Sequence, residues 1–122
     1  MNEAIRKIAD HYGLIPQLNV ATEELAELIQ AIARFRRVDE RDMLELARRK
    51  NLVAEEIADV EVMLAQIKYL MKIDERVEAV AKYEIERQLK RMKKETKCKR
   101  TQEEKHSETA SGKKEKKPAA KK

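Results

Sequence analysis

Residues 23–28 read Glu-Glu-Leu-Ala-Glu-Leu, and residues 55–60 read Glu-Glu-Ile-Ala-Asp-Val. Each phrase runs acid, acid, large aliphatic, Ala, acid, large aliphatic. Residues three apart on a helix share a face, so Glu24 pairs with Glu27 and Glu56 pairs with Asp59. Each pair stands at the same register to its own apolar stripe. Two such helices packed stripe to stripe would bring four carboxylates to one rim. Four converging carboxylates repel one another unless a cation sits among them.

The stripes extend well beyond the phrases. Upstream and downstream of the first, Leu18, Ala21, Leu25, Leu28, Ile32 and Phe35 recur at steps of three and four, which predicts an amphipathic helix from Pro16 to about residue 37. Around the second, Val53, Ile57, Val60, Leu64 and Ile67 do the same, with Met63 and Leu70 beside them. Asn51 is a suitable N-cap for that helix, which should end near Met71. A shorter helix is expected over residues 3–12, stopped by Gly13. Another is expected over 42–50, with Asp39 or Asp42 as its cap. Asp74 caps a last helix over about 75–94, whose stripe (Val77, Val80, Ala81, Ile85, Leu89) is narrow. The expectation is an all-α antiparallel bundle of four to five helices.

Composition agrees. Of the 122 residues 42% are charged and 3% aromatic, with only two glycines and two prolines, a profile of helices rather than sheets. The net charge of +5 is unevenly spread. Twelve of the 28 basic residues and five of the 23 acidic ones lie in 93–122, so residues 1–92 hold 16 basic and 18 acidic residues. Basic character therefore belongs to the tail and not to a folded nucleic-acid-binding face. Residues 95–122 lack apolar periodicity and are expected to be a disordered Lys-rich tail, leaving residues 1–94 to carry the fold. A helical domain of that size is marginal alone, so a homodimer or homotetramer is expected. The one cysteine, Cys98, allows no intrachain disulfide. No N-terminal apolar segment resembles a signal peptide, and no run approaches the ~18 residues that span a bilayer. A cytoplasmic protein without membrane contact is the expectation.

The plainest reading of an acidic pair on a Lys/Glu-rich helix is a solvated face. Here Leu28 and Val60 occupy the positions four residues after Glu24 and Glu56, where Lys or Arg would support an exposed helix. The repetition at one register, beside apolar residues, favours a metal site. A carboxylate-only set suits hard cations, Mg²⁺ or Mn²⁺. Zinc would call for Cys or His ligands. A di-iron bundle would call for Glu-x-x-His repeats, and His11 and His106 are not so placed. No Gly-rich phosphate loop or nucleophile–histidine set can be assembled. Mg²⁺ held by carboxylates commonly bridges to phosphate oxygens, so basic residues of the last helix, Lys82, Arg87, Lys90 and Arg91, are candidate phosphate contacts.

Glu24-x-x-Glu27 followed after 28 residues by Glu56-x-x-Asp59 resembles the pattern of the MazG-like all-α nucleoside triphosphate pyrophosphohydrolases. The His-Tyr-Gly at 11–13, the Asn-Leu-Val-Ala-Glu-Glu-Ile-Ala-Asp-Val at 51–60 and the Ile85–Met92 ending are similar as well. Glu84 stands where that ending usually opens with Lys, which makes Lys82 a candidate in its place. The resemblance implies an oligomeric helical bundle. It implies Mg²⁺-dependent cleavage between the α and β phosphates of an NTP or dNTP. Glu24, Glu27, Glu56 and Asp59 would be the metal ligands and catalytic centre, Glu23 and Glu55 would orient ligands or water, and Arg87 and Arg91 would face the phosphates. Two other readings stand beside it: a non-catalytic helical oligomer that binds nucleotides or a partner, and a nucleic-acid-associated protein acting through its tail.

Overall fold

The computed structural model describes residues 3–112. All elements in that range are helices: α1 (Glu3–Tyr12), α2 (Leu14–Arg36), α3 (Met43–Met71) and α4 (Asp74–Ser111). The fold is an all-α bundle. The chain divides into two units, Met1–Val77 and Glu78–Lys122.

In the first unit, α1 stops where expected. Gly13 adopts φ 82°, ψ 174°, a region open essentially to glycine alone, where another residue costs about 1–3 kcal/mol. Its N–H still donates to the Ala9 carbonyl at 2.8 Å, and α2 begins at the next residue with Pro16 in its first turn. At the far end of α2, Asp39 folds onto Arg41, and Asp42 caps α3 by accepting the Glu45 N–H at 3.1 Å.

From that cap α3 runs unbroken for 29 residues. The expected short helix over 42–50 and the helix capped by Asn51 are one element. Asn51 is a good cap only if the chain turns there. Residues 45–50 are strong helix formers tied by Arg48 and Arg49 to Glu45 at 2.8 and 2.7 Å, and nothing interrupts them. Those two guanidiniums hold the Glu45 carboxyl down at about 2.

Helices α2 and α3 form an antiparallel hairpin. Gln17 meets Gln66, Glu27 meets Glu56, and Arg34 shares a cavity with Arg49. Each advance along α2, of ten residues and then seven, is matched by the same retreat along α3. The seam on α2 consists of Gln17, Ala21, Glu24, Leu28, Ala31 and Phe35, all buried or half-buried. Its counterpart on α3 contains Val53, Glu56, Val60, Met63, Gln66 and Leu70. This differs from the apolar stripes read from the sequence. Leu25 (41% exposed), Ile32 (42%), Ile57 (41%) and Leu64 (43%) lie off the seam. Glu24 and Glu56 take seam positions instead of flanking them.

The core is narrow and partly polar. Ala9, Ala21, Val60, Met63 and Ala65 are its buried apolar members, and Gln66, at 2% exposed, is its largest fully enclosed side chain. Gln17 Nε2 donates to Gln66 Oε1 at 2.6 Å. Beside this pair α1 packs on the end of α3, with the Tyr69 hydroxyl donating to Asp10 at 3.0 Å and Arg6 stacked on the Tyr69 ring.

The second unit consists, among the described residues, of α4 beyond Val77. Helix α4 begins at Asp74 itself and continues through Ser111, past the end expected near residue 94. Residues 95–111 lack an apolar stripe but are rich in Lys, Glu, Arg and Gln, which favour helix intrinsically, and Arg100 pairs with Glu104 one turn on. The end of the Lys-rich segment, 113–122, lies outside the described residues.

Candidate metal centre

Glu24 and Glu27 sit on successive turns of α2, and Glu56 sits on the second third of α3. Because the two helices run antiparallel, the two acidic phrases face each other. Glu24, Glu27 and Glu56 each place a carboxylate oxygen within 4.8 Å of those of the other two. Oxygens gathered to that degree on three separate acids are near enough that one hard cation would be shared among them. Among the described residues none of these acids is paired with Lys or Arg.

Two of the oxygens are stranded. Oε2 of Glu24 and Oε2 of Glu56 are both buried and accept no hydrogen bond. A buried carboxylate oxygen without a donor is costly. Burial accordingly pushes the Glu24 carboxyl up from its ordinary range, and the neighbouring charges of Glu27, Asp59 and Glu23 push it further. The Glu56 carboxyl is raised in the same way, by burial first and then by Glu27, Asp59 and Glu24. The donors present are carboxylate oxygens alone, a set that fits hard cations such as Mg²⁺ or Mn²⁺. Orphaned oxygens, unrelieved like-charge repulsion and the donor chemistry all suit a divalent cation held by these acids.

Asp59 is exposed and outside the tightest group of three, yet near enough to raise both Glu24 and Glu56. Glu23 and Glu55 are exposed. The basic residues singled out on the last helix, Lys82, Arg87, Lys90 and Arg91, belong to the second unit and are exposed there. Arg87 pairs with Glu84 at 3.2 Å. His11 is exposed, with its ring edge-on to Tyr12.

A cavity of about 160 Å³ adjoins the carboxylates, lined by Glu27, Glu56, Ala31, Leu52, Arg34 and Arg49 among others. The two arginines were not singled out from the sequence. One local signal points to them: Arg34 lies seven residues after Glu27, and Arg49 seven before Glu56. Seven residues are two turns, so each arginine shares a face with its acid. Only the antiparallel pairing puts both at one level.

No protein-family model, curated protein or solved structure matches the chain. Among the described residues no helix is long and apolar enough to cross a membrane.

Proposed function

We propose that this protein is a Mg²⁺-dependent pyrophosphohydrolase, which adds water to a nucleoside or deoxynucleoside triphosphate and yields the monophosphate and pyrophosphate. The observation that carries this reading is the pair of buried, unpartnered oxygens of Glu24 and Glu56 beside Glu27. They lie in a helical seam where packing would otherwise place apolar groups. The resemblance of the doubled acidic phrase to MazG-like enzymes adds the reaction class. Glu24, Glu27, Glu56 and Asp59 would hold the cation. Mg²⁺ bound there would activate water and offset charge developing on the phosphoryl oxygens. Exposed Glu23 and Glu55 stand next to the ligating acids in sequence, placed to orient them or incoming water.

Pyrophosphate release measured over the eight standard NTPs and dNTPs tests this reading. Turnover of at least one, lost on chelation and restored by Mg²⁺ or Mn²⁺, is the expected result. Absence of turnover together with absence of Mn²⁺ binding would return the acidic phrases to solvated helix faces.

The same unit is proposed to function as a homo-oligomer, a homodimer or homotetramer. Besides the seam, α2 carries a second apolar stripe of Leu25, Ile29 (69% exposed) and Ile32, and α3 carries Ile57, Leu64 and Met71. These stripes recur at helical spacing along both helices, as the face of a second copy would require. Sedimentation equilibrium should give at least twice the 14.3 kDa chain mass. A monomer at micromolar concentration would overturn the assignment.

A further inference from the structure

We propose that Arg34 and Arg49 form the anion-binding half of the site and hold the terminal phosphates of the substrate, the part that leaves as pyrophosphate. This assignment rests on the pyrophosphohydrolase reading and deepens it.

The cavity beside the carboxylates is dipolar. Glu27 and Glu56 line one end, and Arg34 and Arg49 lie two helical turns away, about 10 Å along the helix axes. A cation-bound polyphosphate has the matching polarity: its metal-bridged phosphates belong at the carboxylates and its free oxygens belong at guanidiniums. Arginine suits this role because its planar fork meets two phosphate oxygens at once.

The arginines are not spent on neutralising the acids. Arg49 donates to Glu45 at 2.7 Å and is only 23% exposed, and its guanidinium lines the cavity wall beside that contact. Arg34, among the described residues, makes no ion pair or side-chain hydrogen bond. The pocket does not close beyond them. Both arginines also border a more open depression of about 400 Å³ that reaches Arg37, Asp42 and Glu45 at the hairpin end. Pyrophosphate freed at the carboxylates would have a route outward past Arg34, Arg49 and Arg37, although Asp39, Asp42 and Glu45 share that depression. All of these residues belong to α2, α3 and their connection, so the hairpin supplies both ligand sets from one rigid frame. On this reading, the basic residues of α4 are not required for holding the terminal phosphates.

The test uses the full chain, Mn²⁺ and inorganic pyrophosphate, read by isothermal titration calorimetry. Mn²⁺ is titrated first, then pyrophosphate into the Mn²⁺-loaded protein. R34Q and R49Q are each expected to weaken pyrophosphate binding roughly tenfold to a hundredfold, the loss of one charge-assisted contact, and to change Mn²⁺ affinity by less than about twofold. E45Q breaks the same ion pair as R49Q but leaves the guanidinium, and should retain or tighten pyrophosphate binding. Loss of binding in E45Q equal to that in R49Q would show that the pair acts only as a brace, and would overturn the proposal. So would wild-type affinity in both arginine variants, or no pyrophosphate binding by Mn²⁺-loaded wild type. In those cases Mn²⁺ binding that still depends on Glu56 would leave the metal centre standing. Absence of Mn²⁺ binding in wild type would overturn the pyrophosphohydrolase reading, and this assignment with it.

Discussion

Glu56→Gln is expected to raise the melting temperature of the metal-free protein while abolishing its response to Mn²⁺. Ordinarily, replacing a buried polar group lowers stability. Here Glu56 Oε2 is buried without a donor, and Glu27, Asp59 and Glu24 all repel its charge. An amide of the same shape removes that charge and brings an N–H₂ that can donate to Glu27. The substitution also removes a ligand. Cation affinity and pyrophosphate release should fall by at least about a hundredfold, more than the loss of a mere supporting contact. Thermal unfolding of chelator-treated protein, with and without Mn²⁺, reads both effects, since a ligand bound only to the folded state raises its melting temperature. The metal-free wild type should also depend on pH. The Glu24 and Glu56 carboxyls are raised above their ordinary range in the folded state, so the folded chain there binds more protons than the unfolded one. Their stabilising contribution is fully present below the ordinary carboxylate range and is lost as pH rises through the raised values. Glu56→Gln should flatten that dependence. A metal-free variant less stable than wild type, with an unchanged pH profile, would show that the carboxylates are not mutually repelling.

The second large effect concerns the buried amide pair. Gln17→Leu leaves Gln66 Oε1 without its 2.6 Å donor in a site 2% exposed. An unsatisfied buried acceptor costs about 1–3 kcal/mol. For a unit of this size each kcal/mol moves the melting temperature by about 4–8 °C. The double replacement Gln17→Leu with Gln66→Leu removes both partners and should cost less than the single one, because no polar group is left stranded. Circular dichroism melts of the two variants decide it. Additive losses would mean that the amides do not act as a pair.

How much of this was legible in the chain follows from the range of each signal. The convergence of Glu24, Glu27 and Glu56 could be read because three-residue spacing is local and the phrase is repeated, whereas Asp59 of the same phrase stands outside that group. Gly13 and Asp42 could be read because turn and cap chemistry depend on one or two residues. The seam could not. Leu25 and Ile32 look as apolar as Leu28 and Phe35, and only packing against α3 decides which set is covered. Gln17 and Gln66 look like solvated polar residues 49 positions apart, and only the hairpin makes them partners. Arg34 and Arg49 share that difficulty. Asn51 misled because capping chemistry is necessary for a helix start but does not itself break a helix. The length of α4 is not legible from burial, because residues 95–111 carry no apolar stripe and are helical through intrinsic propensity and local pairs.

The continuity of α3 has a consequence for how the chain can change in length. Arg49, Glu56 and Gln66 are carried on one uninterrupted helix, each facing a fixed position on α2. One residue inserted between 50 and 55 would turn everything before it by 100° relative to everything after it, swinging Arg49 away from the face that carries Glu56. Even an insertion of a whole turn would push the arginine about 5 Å out of level with Arg34. The six residues from 37 to 42, between Arg36 and Met43, carry no such constraint. Insertions and deletions in this hairpin disturb its register least there, so descendants of this sequence can vary the length of the bend, provided a cap such as Asp42 still opens α3, while keeping both rods at fixed length.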